Sequence, residues 1–207
     1  NKLNFIDLFS GAGGIGIGYE QAGYEHVLSA DFDTGVAKTF RHNNKNVPFI
    51  EGDLSDKSIF ENVKNVVGKK EIDIIVGGPP CQGFSMFGKR RFVKSQSHNP
   101  HDDIRNDLIF TYLKYVEEFN PKWFMMENVA GLVNLADGYF LENFIEKVKE
   151  LGYNNYDYKI INTADYGVPQ KRKRFIFLAN RTGNIIPWPK PKFYAKPEDW
   201  EKPYRSI

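Results

Sequence analysis

Three features predict an α/β fold, a doubly wound and mostly parallel sheet with an antiparallel pair at one edge. Short apolar runs alternate with amphipathic stretches, a glycine-rich turn follows the first run, and two strand-like runs near the C-terminus are joined only by a loop. In chain order, Leu3 to Phe9, Val27 to Ala30, Pro48 to Ile50, Ile72 to Val76 and Trp123 to Met126 have the continuous apolar character of strands buried on both faces. Between them, Ile15 to Gln21, Thr34 to Asn43, Ile59 to Val67 and Asp107 to Phe119 have helical spacing and crossover length, as does Tyr139 to Leu151 after the fifth run. Beyond Gly152 the alternation stops. Tyr156 to Ile161 and Arg174 to Ala179 follow one another without a helix, hence the antiparallel pair. Ile186 to Ile207 holds five of the eleven prolines among aromatic residues and reads as an extended connector, so the domain is expected over 1–185 and the connector over 186–207.

With 207 residues, 41% hydrophobic and 15% aromatic, the chain has material for one sizeable core. No apolar run approaches the roughly 18 residues that span a bilayer, and nothing resembles a signal peptide, so the cytoplasm is the expected compartment. A single cysteine excludes an internal disulfide and a multi-cysteine metal site. The formal charge of +2 is too small to argue for a nucleic-acid partner, so local clustering must carry that point. The start at Asn1 rather than methionine leads to the expectation of a processed or trimmed terminus.

Two constellations carry chemistry. The first is Gly11-Ala12-Gly13-Gly14-Ile15-Gly16, a turn between the first strand and first helix, where free amides and the helix dipole receive polar groups. Alone it is a weak signal. Asp31, twenty residues past Gly11 at the end of the second strand, is placed to accept from ribose hydroxyls, Phe32 to cover a base, and Asp53 to accept from an exocyclic amine.

The second begins at Gly77-Gly78-Pro79-Pro80-Cys81-Gln82-Gly83-Phe84-Ser85, where two prolines hold the only cysteine at the mouth of a loop, as a nucleophile requires. Glu127-Asn128-Val129 closes the fifth strand, the expected neighbour of the fourth, so Glu127 faces Cys81 across one cleft. A partly desolvated carboxyl there can share a proton with a ring nitrogen. In Gln170-Lys171-Arg172-Lys173-Arg174, strand alternation would point Arg172 and Arg174 one way and the lysines the other. From Gln82 to Arg105 there is no periodicity. Gly83 and Gly88 as hinges, with Ser85, Lys89, Arg90, Arg91 and Lys94, favour a lid that contacts phosphate. His98, His101, Asp102 and Asp103 fall in the same irregular tract with no second shell, and no metal site is expected.

Phe5-Ile6-Asp7-Leu8-Phe9-Ser10-Gly11-Ala12-Gly13-Gly14, the Pro79-to-Ser85 loop, Glu127-Asn128-Val129 and Gln170-to-Arg174 together resemble the DNA cytosine-5 methyltransferases, in that family's motif order and from Phe5 to about Leu178. The resemblance implies an S-adenosylmethionine-dependent enzyme acting on cytosine flipped out of double-stranded DNA. It implies that Cys81 adds to carbon 6, Glu127 holds the proton at ring nitrogen 3 and Arg174 binds the ring oxygen, with Arg172 beside it. It carries Phe9, Gly11 and Gly13 onto the methionine side of the cofactor, Asp31 and Phe32 onto ribose and adenine, and Asp53 and Leu54 onto the adenine edge. Pro80 and Leu108 complete the cofactor contacts, while Ser85, Lys89, Arg90, Arg91 and Gln170 face DNA.

Members of that family continue into a target-recognition region and a returning final helix. The chain is therefore expected to be a fragment or one subunit of a split enzyme, unable alone to select a sequence and methylating poorly or not at all. A restriction-modification partner fits the resemblance to bacterial enzymes. Two alternatives stay open: the same chemistry on tRNA, and a noncatalytic subunit that keeps the fold. A dinucleotide-dependent oxidoreductase accounts only for the first constellation.

Overall fold

Consecutive apolar residues need cover on both faces of a sheet, and the helices between them supply it. The computed structural model describes residues 2–80, 108–195, 198 and 202–205. One sheet contains β1 (Asn4–Leu8), β2 (Glu25–Asp31), β3 (Phe49–Glu51), β4 (Ile74–Gly77), β5 (Trp123–Val129), β6 (Asn155–Asn162) and β7 (Lys173–Asn180), in the order β3-β2-β1-β4-β5-β7-β6. The first five strands are parallel, and β7 runs antiparallel to both β5 and β6. The chain order reverses between β1 and β4, which opens a crevice at the carboxyl ends of the strands.

Among the described residues the helices are α1 (Gly14–Gln21), α2 (Thr34–Asn43), α3 (Lys57–Val67), α4 (Leu108–Phe119) and α5 (Tyr139–Glu150). α2 starts where Asp33 Oδ1 accepts from the N–H groups of Gly35 and Val36, a side-chain cap. α3, α4 and α5 bury Val63, Tyr112, Val116, Phe140 and Phe144 against Ile6, Leu8, Ile75, Phe124, Phe175 and Phe177 of the sheet. α1 packs Ile15 and Tyr19 on the opposite face, over Phe5, Ile74 and Val76. α2 joins it there through Phe40, edge-on to His26, which itself stacks on Phe5.

Two buried tyrosines of α4 tie strands from below. Tyr112 donates to the carbonyls of Ile75 and Met125 at 3.0 and 2.9 Å, and Tyr115 donates to that of Leu54 at 2.9 Å. Short 3₁₀ segments, Ala130–Gly138 and Thr163–Tyr166, follow β5 and β6. The proline-rich segment is held along the β6 edge as a strap. Trp188 Nε1 donates to Asp157 Oδ2 of β6, the Lys192 N–H to the Asp165 carbonyl, and Phe193–Tyr194 (β8) pairs in parallel with Lys202–Pro203 (β9).

Candidate active site

The β1–α1 turn has an unusual backbone. Phe9, Gly11 and Gly13 all lie at positive φ, of 55°, 54° and 94°. For Phe9 that is the left-handed region a side chain rarely adopts, a strain typical of sites where the chain meets a ligand. A Cβ at Gly11 or Gly14 would meet nothing within 4 Å, so the turn is open above those positions, whereas one at Gly13 would strike the Phe40 ring at 2.9 Å. Asp31 stabilises this turn: its Oδ2 accepts from the Gly11 N–H at 2.9 Å and its Oδ1 from the Asp33 N–H at 3.0 Å. Each oxygen keeps a lone pair. Phe32 stands beside it, 69% exposed. Past β3, Asp53 spends Oδ1 on the N–H and hydroxyl of Ser55. Leu54 differs from expectation, since its side chain is in the core and only its main chain can face a cofactor.

Beneath the turn, Asp7 is fully buried. Its Oδ2 accepts from the Gly16 N–H at 3.0 Å, and Oδ1 has no hydrogen-bond partner. Burial, with Asp31 nearby adding repulsion, pushes its carboxyl up to about 8 against the opposing pull of the Gly16 amide. The Ser10 hydroxyl, also buried, is likewise without a partner. Next to Asp7, His26 places Nδ1 2.7 Å from Glu20 Oε1 and Nε2 2.9 Å from Ser29 Oγ, and burial holds it below the usual imidazole range.

The second constellation assembles across β4, β5 and β7. Pairing sets Glu127 opposite Ile176 and Val129 opposite Arg174, so Glu127 and Arg174 are diagonal neighbours on one face. Arg174 Nε lies 2.6 Å from Glu127 Oε1, with the two side chains 20% and 28% exposed. Gly78 passes directly against this pair, since a Cβ there would sit 3.1 Å from Glu127 Oε2. Asn128, to which sequence reasoning assigned no role, is buried. Its Nδ2 donates to the Pro79 carbonyl at 2.8 Å, anchoring the chain two residues before Cys81.

The carboxyl ends of the parallel strands thus bring together Phe9, Gly11, Gly13, Asp31, Phe32, Asp53, Pro80 and Glu127, with Arg174 from the start of β7. Leu108 begins α4. Arg172 precedes β7, exposed, with its N–H donated to Asn162 Oδ1; the guanidinium that meets Glu127 is that of Arg174. Gln170 is exposed in the turn before it. Cys81, Ser85, Lys89, Arg90 and Arg91 lie outside the described residues, as do His98, His101, Asp102 and Asp103. No group of three or more metal-binding side chains occurs among the described residues, and none of the described helices is long and apolar enough to cross a membrane.

Comparison with known proteins shows the family and the fold. The family model for C-5 cytosine-specific DNA methylases matches residues 3–206. A type II methyltransferase of Haemophilus parahaemolyticus, M1.HphI, is 38% identical over 192 residues, covering 92% of this chain and 49% of the relative. M.AquIA, a type II methyltransferase of Picosynechococcus, is 38% identical over 200 residues, covering 92% of this chain and 77% of the relative. The chain therefore spans about half the length of M1.HphI and most of M.AquIA. A crystal structure of a Spodoptera frugiperda DNMT2 variant superposes with a TM-score of 0.67 at 23% identity, covering 98% of this chain and 57% of that one, a likeness of fold.

Proposed function

Because this chain belongs to the C-5 cytosine-specific DNA methylase family, we propose that it forms the catalytic part of an enzyme that methylates carbon 5 of a flipped-out cytosine in DNA. The observation that carries this reading is the 2.6 Å Glu127–Arg174 pair, set beside the Gly78-Pro79 approach to Cys81. Nitrogen 3 and oxygen 2 are adjacent on the cytosine edge, and an acid and a guanidinium side by side suit them.

The residue types answer a chemical difficulty. Carbon 5 of cytosine is a weak nucleophile until a thiolate adds to carbon 6 and converts the ring to an enamine. Cys81 makes that bond. Glu127 holds a proton at nitrogen 3, where electron density builds, and Arg174 binds oxygen 2 through guanidinium N–H groups not spent on Glu127. Loss of the proton from carbon 5 and elimination of the Cys81 sulfur restore the aromatic ring. S-adenosylmethionine, when bound, supplies the methyl group that the activated carbon accepts.

The β1–α1 turn suits that cofactor. It has open space above Gly11 and Gly14, a buried hydroxyl without a partner at Ser10, an oriented carboxylate at Asp31 and an exposed ring at Phe32. Phe9, Gly11 and Gly13 would hold its methionine portion, Asp31 and Phe32 its nucleoside, and Asp53 with the Leu54 main chain its base, with Pro80 and Leu108 on the wall. Arg172 would act beside Arg174 in the catalytic set, and Gln170, Ser85, Lys89, Arg90 and Arg91 would face DNA. Residues 1–185 form the catalytic domain on this reading, a restriction-modification setting is supported by the likeness to type II methyltransferases, and the cytoplasm is the compartment that goes with it.

Duplex DNA containing 5-fluorocytosine tests the reading, because fluorine blocks the final elimination. With S-adenosylmethionine, the chain combined with the target-recognition part that the resemblance implies is expected to form a denaturant-resistant adduct, whereas the 207-residue chain alone should form little or none. Cys81→Ser should abolish it while leaving cofactor binding by calorimetry unchanged. Adduct or turnover retained in Cys81→Ser would overturn the assignment.

A further inference from the structure

The turn between β6 and β7 carries four consecutive basic residues, Lys171 to Arg174, whose mutual repulsion opposes a fixed geometry. The strap after Ile186 supplies a tie. Near its end, the Tyr204 hydroxyl donates to Asp165 Oδ1 at 2.6 Å and accepts from Asn162 Nδ2 at 3.1 Å. Asn162 Nδ2 also donates to Asp165 Oδ1 at 3.2 Å, while Asn162 Oδ1 accepts the Arg172 N–H at 3.1 Å. One amide side chain therefore joins the strap to the basic turn. The turn is closed further by Thr163, whose N–H donates to the Arg172 carbonyl at 3.0 Å and whose hydroxyl donates to the Gln170 carbonyl at 2.8 Å.

The strap has its own anchorage. The Tyr204 N–H donates to the Tyr194 carbonyl at 3.1 Å, and the Phe193 ring lies so close to Gly167 that a Cβ there would come within 2.7 Å. Lys171 adds its ammonium over the Tyr204 ring, 5.9 Å from the centroid. A hydroxyl bonded to a carboxylate is a charge-assisted contact, stronger than the neutral bonds around it.

We propose that Tyr204 is a positioning residue: through Asn162 it fixes the main chain at Arg172 and the first residues of β7, so that Arg174 meets Glu127. Its meaning for catalysis rests on the function proposed above; its geometry does not. Without the tie the first residue of β7, Lys173, which pairs with β6 alone at Asn162, loosens, and the Arg174 guanidinium beside it loses its fixed approach to the carboxylate.

The ¹⁵N-labelled 207-residue chain reports this without DNA. Tyr204→Phe is expected to speed hydrogen exchange at the Arg172 amide about five- to tenfold, the factor set by the net worth of one hydrogen bond. It should also shift the Arg174 Nε–H resonance, assigned with Arg174→Lys. Trp188→Phe, which loosens the same strap at Asp157 and away from the turn, is expected to leave both signals in place at a similar melting temperature. Asp165→Asn removes the charge from the same contact, should act in the same direction as Tyr204→Phe, and serves if that variant does not fold. Unchanged signals in both turn variants, or equal changes in Trp188→Phe, would overturn the proposal. If the signals respond but the chain combined with its target-recognition part forms no 5-fluorocytosine adduct, the functional reading falls and the strap's role stands. If adduct forms and the signals do not respond, the strap's role alone falls.

Discussion

A methyl group at Gly77 would drive into the Leu8 carbonyl oxygen and meet the Tyr112 ring at 3.0 Å, and neither a paired strand nor a ring tied to two carbonyls can give. At Gly78 the same methyl group presses only on Glu127 Oε2, at 3.1 Å, and the carboxyl can yield to it by shifting off its pairing with Arg174. The two substitutions should therefore separate stability from chemistry. Gly77→Ala is expected to cost about 1–3 kcal/mol in denaturant melts, the range for overpacking. Gly78→Ala should melt near wild type yet slow adduct formation at least about tenfold, because the carboxyl leaves the edge of the base. Equal melting temperatures for the two variants would contradict this. At the same scale, Glu127 and Arg174 stand in motifs recognisable in the sequence and the structure pairs them, while Cys81 stands in a third motif that lies outside the described residues. The roles of Asn128 and Tyr112 are not legible in the sequence: Asn128 acts on the Pro79 carbonyl just past β4, Tyr112 on one carbonyl each of β4 and β5, and only the spatial order of those two strands shows it.

Elements buried on both faces declare themselves in sequence, so β1, β4 and the core of β5 lie where their apolar runs predict. β2 starts earlier than its apolar run because Glu25 and His26 extend it, and His26 is a polar residue made compatible with burial by Glu20 and Ser29. The strap escaped notice because proline frequency masks what holds it, an aromatic residue every few positions making contacts far away in sequence. The His26 cluster also decides how α1 sits. A Cβ at Gly16 would fall 2.6 Å from His26 Cε1 and 3.2 Å from Asp7 Oδ2, so α1 lies flat on β1 and β2 only because that position is glycine. Gly16→Ala is expected to lower stability by about 1–3 kcal/mol despite alanine's higher helix propensity. A lower urea midpoint with an unchanged slope would report it; a midpoint at or above wild type would show that helix propensity outweighs packing here.

At the scale of the whole molecule, two buried groups pull stability in opposite directions with pH. His26 has a folded pKa below its usual 6.5, so its contribution is present above that value and is lost as the solution turns acid and the ring must charge. Asp7 is raised from 3.8 to about 8, so its contribution is present in acid and is lost as pH climbs through about 8. Between pH 6.5 and 8 the histidine term is flat. The folded protein still holds the Asp7 proton that the unfolded chain has released, so stability should fall with rising pH, by at most about 1.4 kcal/mol per unit. Asp7→Asn keeps a carbonyl oxygen to accept the Gly16 N–H and has no proton to lose. It is expected to flatten the slope in that window and, because Asp7 gains stability toward acid down to about 3.8 and so offsets the histidine, to uncover a steeper His26 decline below pH 6.5. Urea melts at half-unit intervals measure both arms, and a slope that survives in Asp7→Asn would place its origin in another group.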